Sequence, residues 1–264
     1  MLFGVWGINA DNVWAVGVGG TILNWNGKAW RPSPDSGTQK TLYSVWGSDV
    51  NKVWAVGAGG IILNWDGRST WTPQDSGTTQ NLRGIWGRDA KNVWVAGLGG
   101  TILKWDGSTW TTQDSGTMGN LYAVWGSDEN NVWAVGDSGA SCKWDRNTWT
   151  QQKTTSAALR AVWGTDVDNL WTVREYGRIF KWEGDDWSPQ YIIPEEPNSY
   201  GVWTGGSNNV WVVGAGGMIL NFDGSGWRNC DSGTKNTELR AVWGSSASDI
   251  WVVGASGTIL RRKL

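Results

Sequence analysis

Asn81-Leu82-Arg83-Gly84-Ile85-Trp86-Gly87-Arg88-Asp89-Ala90-Lys91-Asn92-Val93-Trp94-Val95-Ala96-Gly97-Leu98-Gly99-Gly100-Thr101-Ile102-Leu103-Lys104-Trp105-Asp106-Gly107-Ser108-Thr109-Trp110-Thr111-Thr112 reads as four short strands parted by turns. Strand A runs from Asn81 to Gly87, B from Asn92 to Gly97, C from Gly100 to Trp105 and D from Thr109 to Thr112. Each is an aromatic or β-branched run bounded by Gly, Asp, Asn or Ser. Asp106-Gly107 is a hairpin signal, because glycine takes a positive φ without steric cost. No stretch shows the 3.6-residue apolar period of a helix. In strand B, Val93 and Val95 point one way and Trp94 and Ala96 the other, so the sheet is apolar on both faces and needs cover on both.

The same pattern recurs along the chain. The strand A tryptophan returns at Trp6, Trp46, Trp86, Trp125, Trp163, Trp203 and Trp243, in steps of 38 to 40 residues. Glycine follows it in each copy but the sixth, where Thr204 stands. The strand B set is Trp14, Trp54, Trp94, Trp133, Trp171, Trp211 and Trp251; the strand C set is Trp25, Trp65, Trp105, Trp144 and Trp182, with Phe222 in the sixth copy. The strand D set is Trp30, Trp71, Trp110, Trp149, Trp187 and Trp227, which accounts for all 25 tryptophans. Four-stranded units of about 40 residues that cover one another form a β-propeller. The expectation is therefore an all-β chain, a β-propeller of seven blades of about 40 residues within one domain spanning 1–264, with units near 1–40, 41–80, 81–119, 120–157, 158–197, 198–237 and 238–264. The strands number 27 where seven full blades need 28, so the last blade lacks its outer strand. Two readings of that shortfall stand side by side: a ring with a three-stranded last blade, its edge guarded by Arg261 to Lys263, or a piece of a longer protein.

Composition narrows function. The 264 residues carry 39 glycines, 17% charged residues and a formal net charge of −2, which argues against a coiled coil, a disordered chain and a nucleic-acid-binding face. Histidine is absent, which excludes imidazole bases and ligands. No apolar run approaches membrane-spanning length and no signal peptide is visible, leaving the compartment open; an extracellular or periplasmic address fits if the chain is a mature fragment. Cys142 and Cys230 are too few for a disulfide framework.

With its four motifs in order, the chain resembles tryptophan-rich bacterial propeller repeats, and it is similar to the tectonin repeat: Trp110, then Leu121 with Trp125, then Val132-Trp133, then the strand from Cys142 to Trp144. The turn from Asp106 to Trp110 is similar to the Asp-box of sialidase-type propellers, one residue shorter between Asp and Gly. The resemblance implies a propeller fold and lectin-like recognition of glycans or cell surfaces; it transfers no site.

Candidate sites follow from repetition and from departures from it. Asp-Ser-Gly-Thr recurs at Asp35 and Ser36, Asp75 and Ser76, Asp114 and Ser115, and Asp231 and Ser232, on the connection from strand D into the next strand A. A ring of carboxylates and hydroxyls there could hold sugar hydroxyls, and several weak sites on one disc would raise avidity; the plain reading is a side chain capping its own turn. Acidic A–B loops such as Ser127-Asp128-Glu129-Asn130 have oxygen ligands but lack the twelve-residue calcium loop, so no metal or cofactor is expected. The fifth copy reads Val173-Arg174-Glu175-Tyr176-Gly177, and the fourth reads Lys153-Thr154-Thr155-Ser156 where Asp-Ser-Gly-Thr is due. Arg174, Glu175 and Tyr176 could meet a partner; drift of the repeat is the plain alternative. The outer tryptophans are the least covered. The expectation is a non-catalytic binding module for a glycan or a protein surface: lectin-like first, with a protein scaffold docking through the fourth and fifth copies as the alternative. Self-association through the open edge of the last blade is the remaining partner expected.

Overall fold

A computed structural model describes residues 1–152 and 156–263, with the side chain of Lys263 left aside. The Lys153-to-Ser156 departure falls largely outside these residues. Seven antiparallel sheets follow one another in sequence, six of four strands and the last of three, each strand hydrogen-bonded to the next. The third blade is built from Leu82–Asp89, Asn92–Gly97, Ile102–Trp105 and Trp110–Gln113, the four strands its sequence predicts, with ends that differ from the predicted ones in all but the second. Five three-residue 3₁₀ turns, as at Val18–Gly20, sit between strands B and C; there is no α-helix among the described residues. Among the described residues the ring closes by packing blade seven on blade one. The Trp251 ring lies 5.3 Å from Trp25 and 5.3 Å from Trp30.

The strand B residues fill the blade interfaces. Val93, Trp94, Val95 and Ala96 are all 0% exposed, as a sheet apolar on both faces requires. Strand B tryptophans meet the C and D aromatics of the following blade: Trp94 is 5.2 Å from Trp144 and 5.4 Å, edge to face, from Trp149. The outer tryptophans are therefore better covered than the sequence suggests. Trp71, Trp149 and Trp187 are buried, Trp30, Trp110 and Trp227 half-buried.

The Trp-Gly dipeptide of strand A is also an inter-blade device. A Cβ at Gly87 would stand 2.5 Å from the Trp46 ring, at Gly126 2.7 Å from Trp86, and at Gly7 2.7 Å from Trp243. Each glycine makes room for the indole of the preceding blade. At the sixth blade Thr204 replaces it, and Trp163, on the preceding blade, is the one strand A tryptophan that is not buried.

Candidate functional site

Strand A carries the same irregularity in all seven blades. In the first, Leu2 pairs with Gly17 and Gly4 with Val16, so Phe3 is the extra residue of a β-bulge. The equivalent skipped residues are Tyr43, Arg83, Tyr122, Arg160, Tyr200 and Arg240. A bulge leaves its extra residue unpaired and re-aims its side chain. Here all seven are half-buried and line one depression of about 350 Å³ at the end of the central channel, with Glu175 and Asn198.

Aromatic and guanidinium groups alternate around this mouth. Arg83 lies 3.9 Å from the Tyr43 centroid, Arg160 4.5 Å from Tyr122, and Arg240 4.3 Å from Tyr200 and 6.0 Å from Phe3. Seven is odd, so the alternation fails once, and there Phe3 meets Tyr43 edge to face at 5.4 Å. Planar guanidinium stacks well on an aromatic face, and such a contact contributes roughly 0.5–1 kcal/mol at a partly exposed site.

The cations are unequally neutralised. Glu175 accepts from Arg160, and Glu238 from Arg240. Arg83 has no carboxylate within ion-pair distance among the described residues. The Nε atoms of Arg83, Arg160 and Arg240 are buried without a hydrogen-bond partner among the described residues. The Tyr122 hydroxyl donates to Asp137 at 2.6 Å, and burial together with that carboxylate pushes its ionisation above the usual phenol range. Chemically, the mouth offers guanidinium donors and flat apolar faces to an anion that itself carries apolar parts.

The residues singled out from sequence divide. The Asp-Ser-Gly-Thr segments lie on the same face, where the B–C turns meet the chain leading into the next strand A: Gly20 N–H donates to the Lys40 carbonyl at 2.9 Å. Asp35, Asp75, Asp114 and Asp231 each accept the N–H of the glycine two residues on at 2.9 Å. Ser36, Ser76, Ser115 and Ser232 each donate to the carbonyl of the following Thr. A Cβ at Gly20, where φ is +70°, would collide with the Thr38 carbonyl, so serine and glycine lock connector to turn. Of the fifth-blade departure, Glu175 reaches the mouth, Arg174 packs over Phe180 at 5.7 Å, and Tyr176 is exposed on a backbone with φ of 62°. The acidic A–B loops are Asx turns, as where Asp128 accepts from Asn130 N–H at 2.8 Å. Among the described residues no three His, Cys, Asp or Glu groups gather as metal ligands, and no helix is long and apolar enough to cross a membrane. The bulge set was missed in the sequence; its signal was the residue three before the strand A tryptophan, which changes between aromatic and arginine while the tryptophan repeats.

No protein-family model matches this chain, and no curated protein does. Solved structures do match in fold. The structure of YCF48 bound to D1 peptide superposes with a TM-score of 0.81 at 20% identity over 100% of this chain and 93% of that one. A streptogramin B lyase gives 0.85 at 15% identity over 100% and 93%, and the WD40 propeller domain of Doa1 gives 0.83 at 13% over 98% and 92%. At these identities the likeness is one of architecture, and the architecture is the seven-bladed β-propeller.

Proposed function

We propose that this chain is a non-catalytic protein-interaction module that grips an extended, carboxylate-bearing segment of a partner polypeptide at the channel mouth. The carrying observation is that seven bulges aim Phe3, Tyr43, Arg83, Tyr122, Arg160, Tyr200 and Arg240 at one depression. A guanidinium held against an aromatic ring keeps donors for a carboxylate, and the rings cover the apolar part of an adjacent residue. The peptide bound to YCF48 and the WD40 neighbour support a protein partner over a glycan. Blades four and five contribute Tyr122, Arg160 and Glu175, so the scaffold alternative from sequence keeps its docking face and gains the rest of the ring. The lectin-like reading came from the resemblance to tectonin-type repeats and from the Asp-Ser-Gly-Thr segments, whose serines and aspartates are engaged in their own turns. The streptogramin B lyase neighbour shares the fold at 15% identity and brings no activity to this chain.

The test is fluorescence anisotropy with a labelled acidic hexapeptide, its glutamine counterpart, and a glycan array as the third arm. The acidic peptide should bind about tenfold or more tightly than the neutral one, and Arg83→Ala should remove about tenfold of that affinity. Equal binding of both peptides, or indifference to Arg83→Ala, overturns the proposal. Glycan signal without peptide binding would return the lectin reading.

A further inference from the structure

We propose that the partner segment gripped at the channel mouth continues outward into a groove between blades five and six, which takes an apolar residue followed by a lysine or arginine. The inference rests on the mouth reading above and adds the second half of the segment.

The groove, of about 830 Å³, is lined by Tyr191, Ile193, Pro194, Glu195, Pro197 and Met218 among others. Its walls come from departures from the repeat in two neighbouring blades. Strand D of blade five, Trp187–Ile192, has six residues where the other four-stranded blades have three or four. Tyr191 pairs with Ile179, where blade three pairs Gln113 with Ile102. Across the blade boundary Met218 stands where blade three carries Thr101. Each exchanges a polar residue for an apolar one, and both are half-buried. The Tyr191 ring is stacked on Trp227 at 5.6 Å, which fixes that wall, while methionine adapts to a side chain laid against it.

The exit loop of blade five closes the groove. Ile193 is buried and donates its N–H to the Gly177 carbonyl at 2.7 Å, which anchors the loop to its own B–C turn. Beyond it Glu195 and Glu196 take φ of 64° and 48°, a left-handed backbone that the Asp-Ser-Gly-Thr connectors give to glycine, as at Gly116 with φ of 70°. That conformation is unfavourable for a residue with a Cβ, and strain of this kind gathers at binding sites.

Charge names the occupant. Glu195 is exposed at the groove, and among the described residues no cation lies within ion-pair distance of it; Glu196 is 3.9 Å from Arg178. Asp231 is the other carboxylate of the lining, and no lysine or arginine joins them. Acidic groups beside apolar walls fit a basic side chain whose neighbour is apolar. Pro197 lines the groove and the next residue, Asn198, lines the mouth, so the two sites adjoin along one loop. Two weak sites joined by a short span hold one segment more tightly than either alone.

The experiment follows the anisotropy of the labelled acidic hexapeptide and of the same peptide extended by about three glycines and Leu-Lys, at its start in one version and at its end in another. Matching Ser-Gln extensions serve as controls. One Leu-Lys version should bind about tenfold or more tightly than the hexapeptide, and the Ser-Gln versions should not. Glu195→Gln and Met218→Thr, which installs the threonine of blade three, should each remove about three- to tenfold of that gain and leave the hexapeptide's affinity unchanged. A hexapeptide that binds with no gain from either extension, or a gain that survives both substitutions, overturns this inference and leaves the mouth reading standing. A hexapeptide that does not bind overturns the mouth reading and the span with it.

Discussion

The guanidinium of Arg83 lies 3.9 Å from the centroid of the Tyr43 ring, across the boundary between blades two and three. Both residues are the unpaired members of strand A bulges, so their contact lies apart from the Trp-rich interface. Arg83→Lys keeps the charge and loses the planar stack. It should weaken acidic-peptide binding about three- to tenfold, less than Arg83→Ala, with the melting temperature nearly unchanged. The affinity should also fall with added salt, since the mouth is open to solvent. Titration at two ionic strengths checks both.

Gly87→Ala should destabilise the propeller by roughly 1–3 kcal/mol, because the new Cβ would stand 2.5 Å from the Trp46 ring of the preceding blade. Gly77→Ala has open space around it but a φ of +66°, so its cost is conformational alone, about 1–2 kcal/mol. Only the first should be relieved by Trp46→Phe. Denaturant midpoints of the three variants and the double variant decide this.

Trp94→Ala should cost about 3–5 kcal/mol, since its indole is 0% exposed between blades three and four. Trp110→Ala should cost less, because Trp110 is only half-buried; the bond its Nε1–H donates to Gln74 at 2.9 Å narrows the difference without reversing it. Equal losses in chemical denaturation would contradict this radial order.

Acid should loosen the C–D turns in a defined window. The N–H groups of Thr109 and Ser108 hold the exposed Asp106 carboxyl down at about 2, and those of Thr148 and Asn147 lower Asp145 likewise. A folded value below the unfolded one stabilises above the unfolded pKa and is lost as pH falls through the folded one. That contribution should therefore be complete above about pH 4 and disappear between about pH 4 and 2. Asp106→Asn should flatten the stability profile in that window and lower stability at pH 7 to 9, where the carboxylate's contribution is complete, without adding a pH dependence there.

The two thiols should differ sharply. Cys142 is 0% exposed, and burial pushes its ionisation up to about 11. Cys230 is half-buried and lines the groove between blades five and six. Alkylation of the native chain at pH 8 should modify Cys230 first, with Cys142 reacting only on unfolding. Peptide mapping of a time course reads this directly.

The order of the strands and the number of blades were legible in the chain, because alternation, turn residues and a period near 40 are local or repeated signals. So was the role of Trp94 as an inter-blade wedge. Its neighbours were not: that the glycine after Trp86 exists to admit Trp46 is a contact between blades, and one sequence records it only as a recurring dipeptide. The channel mouth lay further out of reach. Phe3, Tyr43, Arg83, Tyr122, Arg160, Tyr200 and Arg240 are each about 40 residues from the next. On a regular strand their side chains would be assigned by simple alternation. Seven bulges re-aim them, and ring closure brings them to one point. Local patterning thus determined what each blade is, while the meeting of the bulge residues was decided by the closed tertiary ring, because only closure turns separation along the chain into proximity.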